Sequence, residues 1–217
     1  MPKVIGYHRP ASVEEALALL AQPNAAPIAG GTRVNYTPFN GATTTLQALV
    51  DDKRVPPVLR ELARRELPST MRTLATVGGT VAAGGWQSEL LAALLACDAK
   101  VTIRTAGGSN TYNLATVLAD CELLRGSLIV SIALATDGTL ANDHTARTPG
   151  DTPIVSATAR RAASGEVRVA LSGVAATPVI ASDASTLSPP SDFRGSTEYR
   201  RHLANVLIAR VTKAVSA

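Results

Sequence analysis

Two stretches decide the reading of this chain: Ala29-Gly30-Gly31-Thr32, behind the apolar run Ala26-Pro27-Ile28, and Thr76-Val77-Gly78-Gly79-Thr80, behind Thr73-Leu74-Ala75. Each reads as a buried strand running into paired glycines and a threonine. Without Cβ atoms the backbone N–H groups can approach an anion closely, and the threonine hydroxyl adds a donor. Neither stretch is a G-x-G-x-x-G fingerprint and neither carries a P-loop lysine. Paired glycines after a strand also serve as plain tight turns, but two such loops in one chain suit the grip on one diphosphate.

Working outward from the first loop, residues 4–8 read as a strand that Pro10 ends. Ser12-Val13-Glu14-Glu15 is a capping box opening a helix over 13–21. Residues 26–29 form the strand that closes this β-α-β unit. Residues 44–50 have the β-branched content of a strand, and Pro56-Pro57 opens a helix reaching residue 65. After the second loop come the small residues Ala82-Ala83-Gly84-Gly85 ahead of Trp86, then an apolar helix over 89–97. A hairpin flanks Gly107-Gly108, with a helix over 114–120 and a strand over 128–134 behind it. The polar stretch 142–151 reads as a loop at a domain boundary. The tail adds strands over 152–161 and 166–171 and a helix over 197–214, with Leu203, Val206, Leu207, Val211 and Ala214 as its apolar stripe.

The 217 residues, 46% of them hydrophobic, are enough to bury a real core. Net charge is a modest +4, and aromatic residues make up 3% of the chain, so there is little to stack nucleic-acid bases. Arg60, Arg64 and Arg65, and Arg200, Arg201 and Arg210, read as solvated faces or anion contacts. No apolar run is long enough to span a bilayer and the N-terminus lacks the shape of an export signal, so a cytoplasmic protein is expected. Cys97 and Cys121 lack C-x-x-C spacing, which supports neither an iron–sulfur cluster nor a zinc site, and no metal is expected. The Ala, Arg, Thr and Gly bias suits a high-GC bacterium.

The chain resembles the FAD-binding medium subunit of the molybdenum hydroxylases, the family of carbon monoxide dehydrogenase and xanthine dehydrogenase. Residues 16–32 match its "EEALALL…PIAGGT" opening, residues 72–80 its "RNxATIGGN" and residues 91–101 its "ALLALDAxV". Ser172-Gly173-Val174-Ala175-Ala176-Thr177-Pro178 and Arg194-Gly195-Ser196-Thr197-Glu198-Tyr199-Arg200-Arg201 are similar to its C-terminal domain. The resemblance implies an α+β fold. A two-part FAD-binding domain of the PCMH or vanillyl-alcohol-oxidase type would span residues 1–140, divided near 51/52. A smaller α+β domain with a three-stranded sheet would span residues 151–217. It implies FAD as cofactor, its diphosphate held by Ala29, Gly30, Gly31, Thr32 and Arg33 and by Thr76, Val77, Gly78, Gly79 and Thr80. Iron–sulfur and molybdopterin subunits would be its partners.

Four departures stand against that pattern. The family's further strand and "GAxTT" segment are expected to be missing between Asp51 and Asp52. Thr80 replaces an Asn, and Glu89 replaces an Asp. The stretch 134–151, which in the family lies near the flavin ring, is shortened. Two functions follow. One is a flavoprotein relaying electrons from a partner's iron–sulfur clusters to an acceptor, the redox chemistry being the flavin's. The other is a stand-alone enzyme on a degenerate flavin scaffold, such as a cyclase acting on an apolar small-molecule intermediate in natural-product biosynthesis, working by orientation. Its candidate polar groups are Glu89, Tyr36, Tyr112 and His144. A binding or assembly subunit whose glycine loops are only turns is the third possibility.

Overall fold

The computed structural model describes residues 6–23, 25–26 and 44–217. The elements in chain order are α1 (Val13–Leu20), α2 (Leu46–Asp51), α3 (Pro57–Glu66), α4 (Ser69–Arg72), α5 (Val77–Ala83), α6 (Glu89–Ala96), β1 (Lys100–Thr105), β2 (Gly108–Asn113) and α7 (Leu114–Ala119). A 3-10 turn (Cys121–Leu124) leads to β3 (Leu128–Ala133), β4 (Thr139–Thr145), β5 (Val155–Arg161), β6 (Val167–Ser172), β7 (Val179–Ile180) and α8 (Thr197–Ser216). The expected strand over 26–29, the first glycine loop and Tyr36 lie in whole or in part outside the described residues. Residues 6–8 of the expected first strand have no regular structure.

Helix α6 is the axis of the molecule. All eight of its residues are buried, so an apolar sequence with no polar stripe has neighbours on every side. It packs against α3 and against β5, β6 and β7, while α8 covers the opposite face of the same sheet through β4, β5 and β6. The four strands run in the order β4-β5-β6-β7, all antiparallel. Sandwiched between two helices, β5 is buried at six consecutive positions instead of alternating. The separate sheet β2-β1-β3 carries the expected hairpin, and Val101, Ile103 and Ile129 join its inner face to the α3–α6 core.

Four readings change. Residues 44–50 are not a strand: Thr45 Oγ1 accepts from the Ala48 N–H and caps α2, whose Leu46 and Val50 are buried four residues apart. The β-branched threonines that suggested a strand sit before and at the cap. The second glycine stretch is not a loop behind a strand either, but the first turn of α5. The stretch 142–151 begins inside β4, which pairs with β5 over seven residues, so the four-stranded sheet starts at Thr139. Its polar residues had masked it, and it makes the C-terminal sheet four-stranded instead of three. The buried face of α8 is Arg200, Ala204, Leu207, Ile208, Val211 and Val215, with Ala214 exposed.

Candidate functional site

The turn at Thr76 is built by two mutually braced caps. Thr45 and Thr76 form an antiparallel bridge in which the Leu46 N–H donates to Ala75 O at 2.8 Å and the Val77 N–H to Thr44 O at 3.0 Å. Thr76 then caps α5, its Oγ1 accepting from the Gly79 N–H at 3.0 Å, and Gly84 closes the helix in the left-handed conformation with φ 57°. Two of the donors expected to face a diphosphate are therefore spent within the protein. The Thr80 hydroxyl is spent as well, donating to Thr76 O at 3.2 Å. The Thr76 hydroxyl accepts from Gly79 and keeps its own proton to donate. Gly78 is the second residue of α5, a position whose N–H has no acceptor within the helix. Both donors suit an anionic oxygen, and in this respect the residues present fit a diphosphate.

Glu89 and His144 are brought together, 55 residues of sequence apart at the first turn of α6 and on β4. The Glu89 carboxylate is 5% exposed. Its Oε1 accepts from Arg65 Nη2 at 3.0 Å and from Ser156 Oγ at 2.9 Å, and lies 3.8 Å from His144 Nδ1. Arg65 Nη1 is 3.2 Å from the same His144 Nδ1, and Arg65 Nη2 donates to Asn142 Oδ1 at 2.8 Å. Because a guanidinium can only donate, Nδ1 accepts, which puts the proton of a neutral imidazole on Nε2. Asn142 Nδ2 donates onward to Ser156 Oγ, Ala157 O and Thr158 Oγ1, each at 3.0 Å.

This cluster ties α3 and α6 to β4 and β5 through nearly saturated hydrogen bonds, the pattern of a structural network more than of a reacting centre. Arg65, 27% exposed, and Arg200, both read from sequence as solvated or anion-facing, make contacts inside the protein. Arg65 serves Glu89, and Arg200 is fully buried with its guanidinium 5.1 Å over the Trp86 ring. Tyr112 does not join the cluster: it sits on β2 opposite Val101, packed against the α3–α6 core. Sequence reasoning missed Asn142 and Ser156, short polar residues whose roles arise only from the β4–β5 register. Among the described residues no group of His, Cys, Asp and Glu is placed to hold a metal, and no helix is long and apolar enough to cross a membrane.

The architecture is that of an α+β chain with a capped glycine turn at the head of a short helix, docked on an antiparallel sheet. Residues 39–135 match the family described as the FAD binding domain in molybdopterin dehydrogenase. The match begins just ahead of Gly41-Ala42-Thr43-Thr44-Thr45, which itself fits the "GAxTT" pattern. That segment is thus present, upstream of α2 and not between Asp51 and Asp52.

YgfM of Escherichia coli K12, named as an uncharacterized protein, is 28% identical over 247 residues, covering 94% of this chain and 93% of its own. Three solved structures share the fold. Carbon monoxide dehydrogenase from Hydrogenophaga pseudoflava, in a form lacking the Mo-pyranopterin moiety, matches with a TM-score of 0.86 at 22% identity, over 100% of this chain and 98% of that one. Quinoline 2-oxidoreductase from Pseudomonas putida 86 gives 0.83 at 22%, over 95% of each. Reconstituted CO dehydrogenase from Oligotropha carboxidovorans gives 0.83 at 23%, over 99% and 98%. The chain is similar to the medium subunits of molybdenum hydroxylases, and the cyclase alternative finds no support in these similarities.

Proposed function

We propose that this chain is the FAD-carrying electron-transfer subunit of a molybdenum hydroxylase, acting with separate iron–sulfur and molybdopterin subunits. The observation that carries the reading is the family match over residues 39–135, which contains the whole capped turn of α5. In this reading the diphosphate takes the Thr76 hydroxyl and the Gly78 N–H, with Ala29, Gly30, Gly31, Thr32 and Arg33 contributing the second grip. Val77, Gly79 and Thr80 shape the turn instead of donating to the ligand. FAD supplies the chemistry of accepting and passing on electrons. The protein's part is to hold the diphosphate at a helix N-terminus and to keep the turn fixed through the Thr45–Thr76 bridge.

Absorbance of the purified protein, followed by FAD titration, tests this. Flavin bands, or saturable uptake of added FAD, are expected, and Gly78→Val should reduce FAD affinity at least tenfold by placing a branched side chain against the diphosphate. A protein that is colourless and ignores FAD sinks the proposal. Unchanged affinity in the folded Gly78→Val variant refutes the assignment of the turn while leaving the cofactor standing.

A further inference from the structure

Arg200, on the first turn of α8, is the largest fully buried side chain among the described residues, and it carries a charge. Burying a guanidinium is costly, and a methionine of similar length would pack there without that cost. What the arginine adds is the power to bond in several directions at once. Its Nη1 donates to Ile154 O at 2.5 Å, just ahead of β5, and to Gly173 O at 3.2 Å, just behind β6. Its Nη2 donates to Asp192 Oδ1 at 2.6 Å. The guanidinium carbon lies 5.1 Å from the Trp86 ring centroid, within cation–π range.

Trp86 belongs to the short connection from α5 to α6, and the fastenings of that connection converge on the same spot. Gly84 ends α5, the Ser88 N–H donates to Gly85 O at 2.9 Å, and Ser88 caps α6. Between them, Trp86 O accepts from the Gly173 N–H at 2.8 Å, so one glycine is bonded both to Trp86 and to Arg200. Gln87 Nε2 donates to Pro153 O at 3.1 Å, one residue before the Ile154 carbonyl that Arg200 takes. Gly173 has φ 81°, and a Cβ there would meet Ile154 O at 2.2 Å. Only glycine lets the chain pass close enough to serve both partners.

We infer that Arg200 is a positioning residue for the glycine turn of α5, acting through Trp86. Helix α5 is only about 10 Å long, and it is fastened at both ends. The Thr45–Thr76 bridge holds its N-terminal end, and Trp86, two residues beyond the Gly84 cap, holds the other. Released at Trp86, so short a helix turns about the bridge, and the Gly78 N–H swings with it. A ligand-binding donor must be held to within about 0.5 Å and 10–20° of its productive direction. The inference rests on the function proposed above in one respect, that the ligand of this turn is the FAD diphosphate. Arg200 touches no ligand itself; the C-terminal helix sets the direction of a donor in the other half of the chain.

The test compares wild type, Trp86→Leu, Arg200→Met and, as a control, Arg168→Met, which cuts the Arg168–Asp98 contact between β6 and the end of α6 without touching α5 or Trp86. Amide hydrogen exchange of α5, β5 and α8 is followed by mass spectrometry in the full chain, and FAD affinity is titrated on the same preparations. Trp86→Leu and Arg200→Met should each speed exchange in α5 at least tenfold and raise the Kd for FAD at least fivefold, and Arg168→Met should do neither. Trp86→Leu should leave exchange in β5 and α8 as it is in wild type, which separates a role in placing α5 from general loosening. If Arg200→Met does not fold, Trp86→Leu decides alone. Unchanged exchange in α5, or equal acceleration in all three variants, overturns the inference, and so does faster exchange with unchanged FAD affinity. A wild-type protein that ignores FAD refutes the function proposed above, while exchange in α5 still decides whether Arg200 positions the helix.

Discussion

Arg65 and Glu89 meet between α3 and α6, Nη2 to Oε1 at 3.0 Å, with the carboxylate side chain 5% exposed and the guanidinium 27%. The unequal burial makes the two ends of the pair unequal in cost. Without Arg65 the carboxylate keeps only the Ser156 hydroxyl and stays out of water; without the Glu89 charge, Arg65 still reaches solvent. Arg65→Met should therefore destabilise by about 3 kcal/mol and Glu89→Gln by about 1 kcal/mol. Urea unfolding of the two variants checks this, and equal losses would contradict it.

Asp98 ends α6 in the left-handed conformation, φ 51°, the one described non-glycine residue with positive φ. Its N–H donates to Leu95 O and the next N–H, of Ala99, to Leu94 O, the paired bonds of a Schellman cap. Arg168 Nη1 from β6 reaches its Oδ1 at 2.5 Å. Alanine and glycine both delete that contact, but only alanine retains a Cβ that the left-handed region penalises. Asp98→Ala should be less stable than Asp98→Gly by about 1 kcal/mol. Thermal melts of the pair decide it; a reversed order would show that the backbone conformation is not what sets the cost.

How much of this was legible in the sequence depended on whether a residue's role is local. The Ser12 cap of α1, the proline start of α3, the apolar α6 and the hairpin around Gly107-Gly108 all follow from neighbours in the chain, and all were readable. Residues 44–50 were not, because a run of threonines looks like a strand until Thr45 is seen capping α2 against Thr76. Strand β4 hid for a related reason: Asn142 and His144 are polar residues that face inward, toward Arg65 and Ser156. Glu89 and His144 could be named as candidates but not paired. What joins them is Arg65, 24 residues from one and 79 from the other, and nothing in its local sequence distinguishes it from a solvated arginine on the last turn of a helix.

The two thiols differ in reach. Cys97, capping the buried α6, is 1% exposed, and burial pushes its thiol up to about 11, with a smaller downward effect from Arg160 and a smaller upward one from Asp137. Cys121 is exposed at the start of the 3-10 turn. At pH 8 a thiol reagent should modify one cysteine of the native protein rapidly and the second only after denaturation, since the thiolate is the reactive form. Peptide mapping should place the fast adduct on Cys121. Rapid native modification of both would mean that α6 opens far more readily than its packing implies.

Arg200 is fully buried and Asp192 is the carboxylate that accompanies it, at 2.6 Å. Partial burial raises the Asp192 carboxyl, but the Arg200 guanidinium and the backbone N–H groups of Arg194 and Gly195 outweigh it, and the net shift is downward. A carboxyl held lower in the folded than in the unfolded chain binds fewer protons when folded. Its stabilisation is then fully present above the unfolded value of about 3.9 and is lost as pH falls through the lower folded value. Asp192→Asn mimics the protonated state at every pH and leaves a buried guanidinium without its counterion, so it should cost about 3 kcal/mol at pH 7. The gap between wild type and variant should hold from pH 7 to 5 and narrow below pH 4. Urea unfolding across that range reads the gap directly. A gap that stays constant below pH 4 would mean that the Asp192 charge contributes nothing, and that the aspartate supports Arg200 only as a neutral hydrogen-bond acceptor.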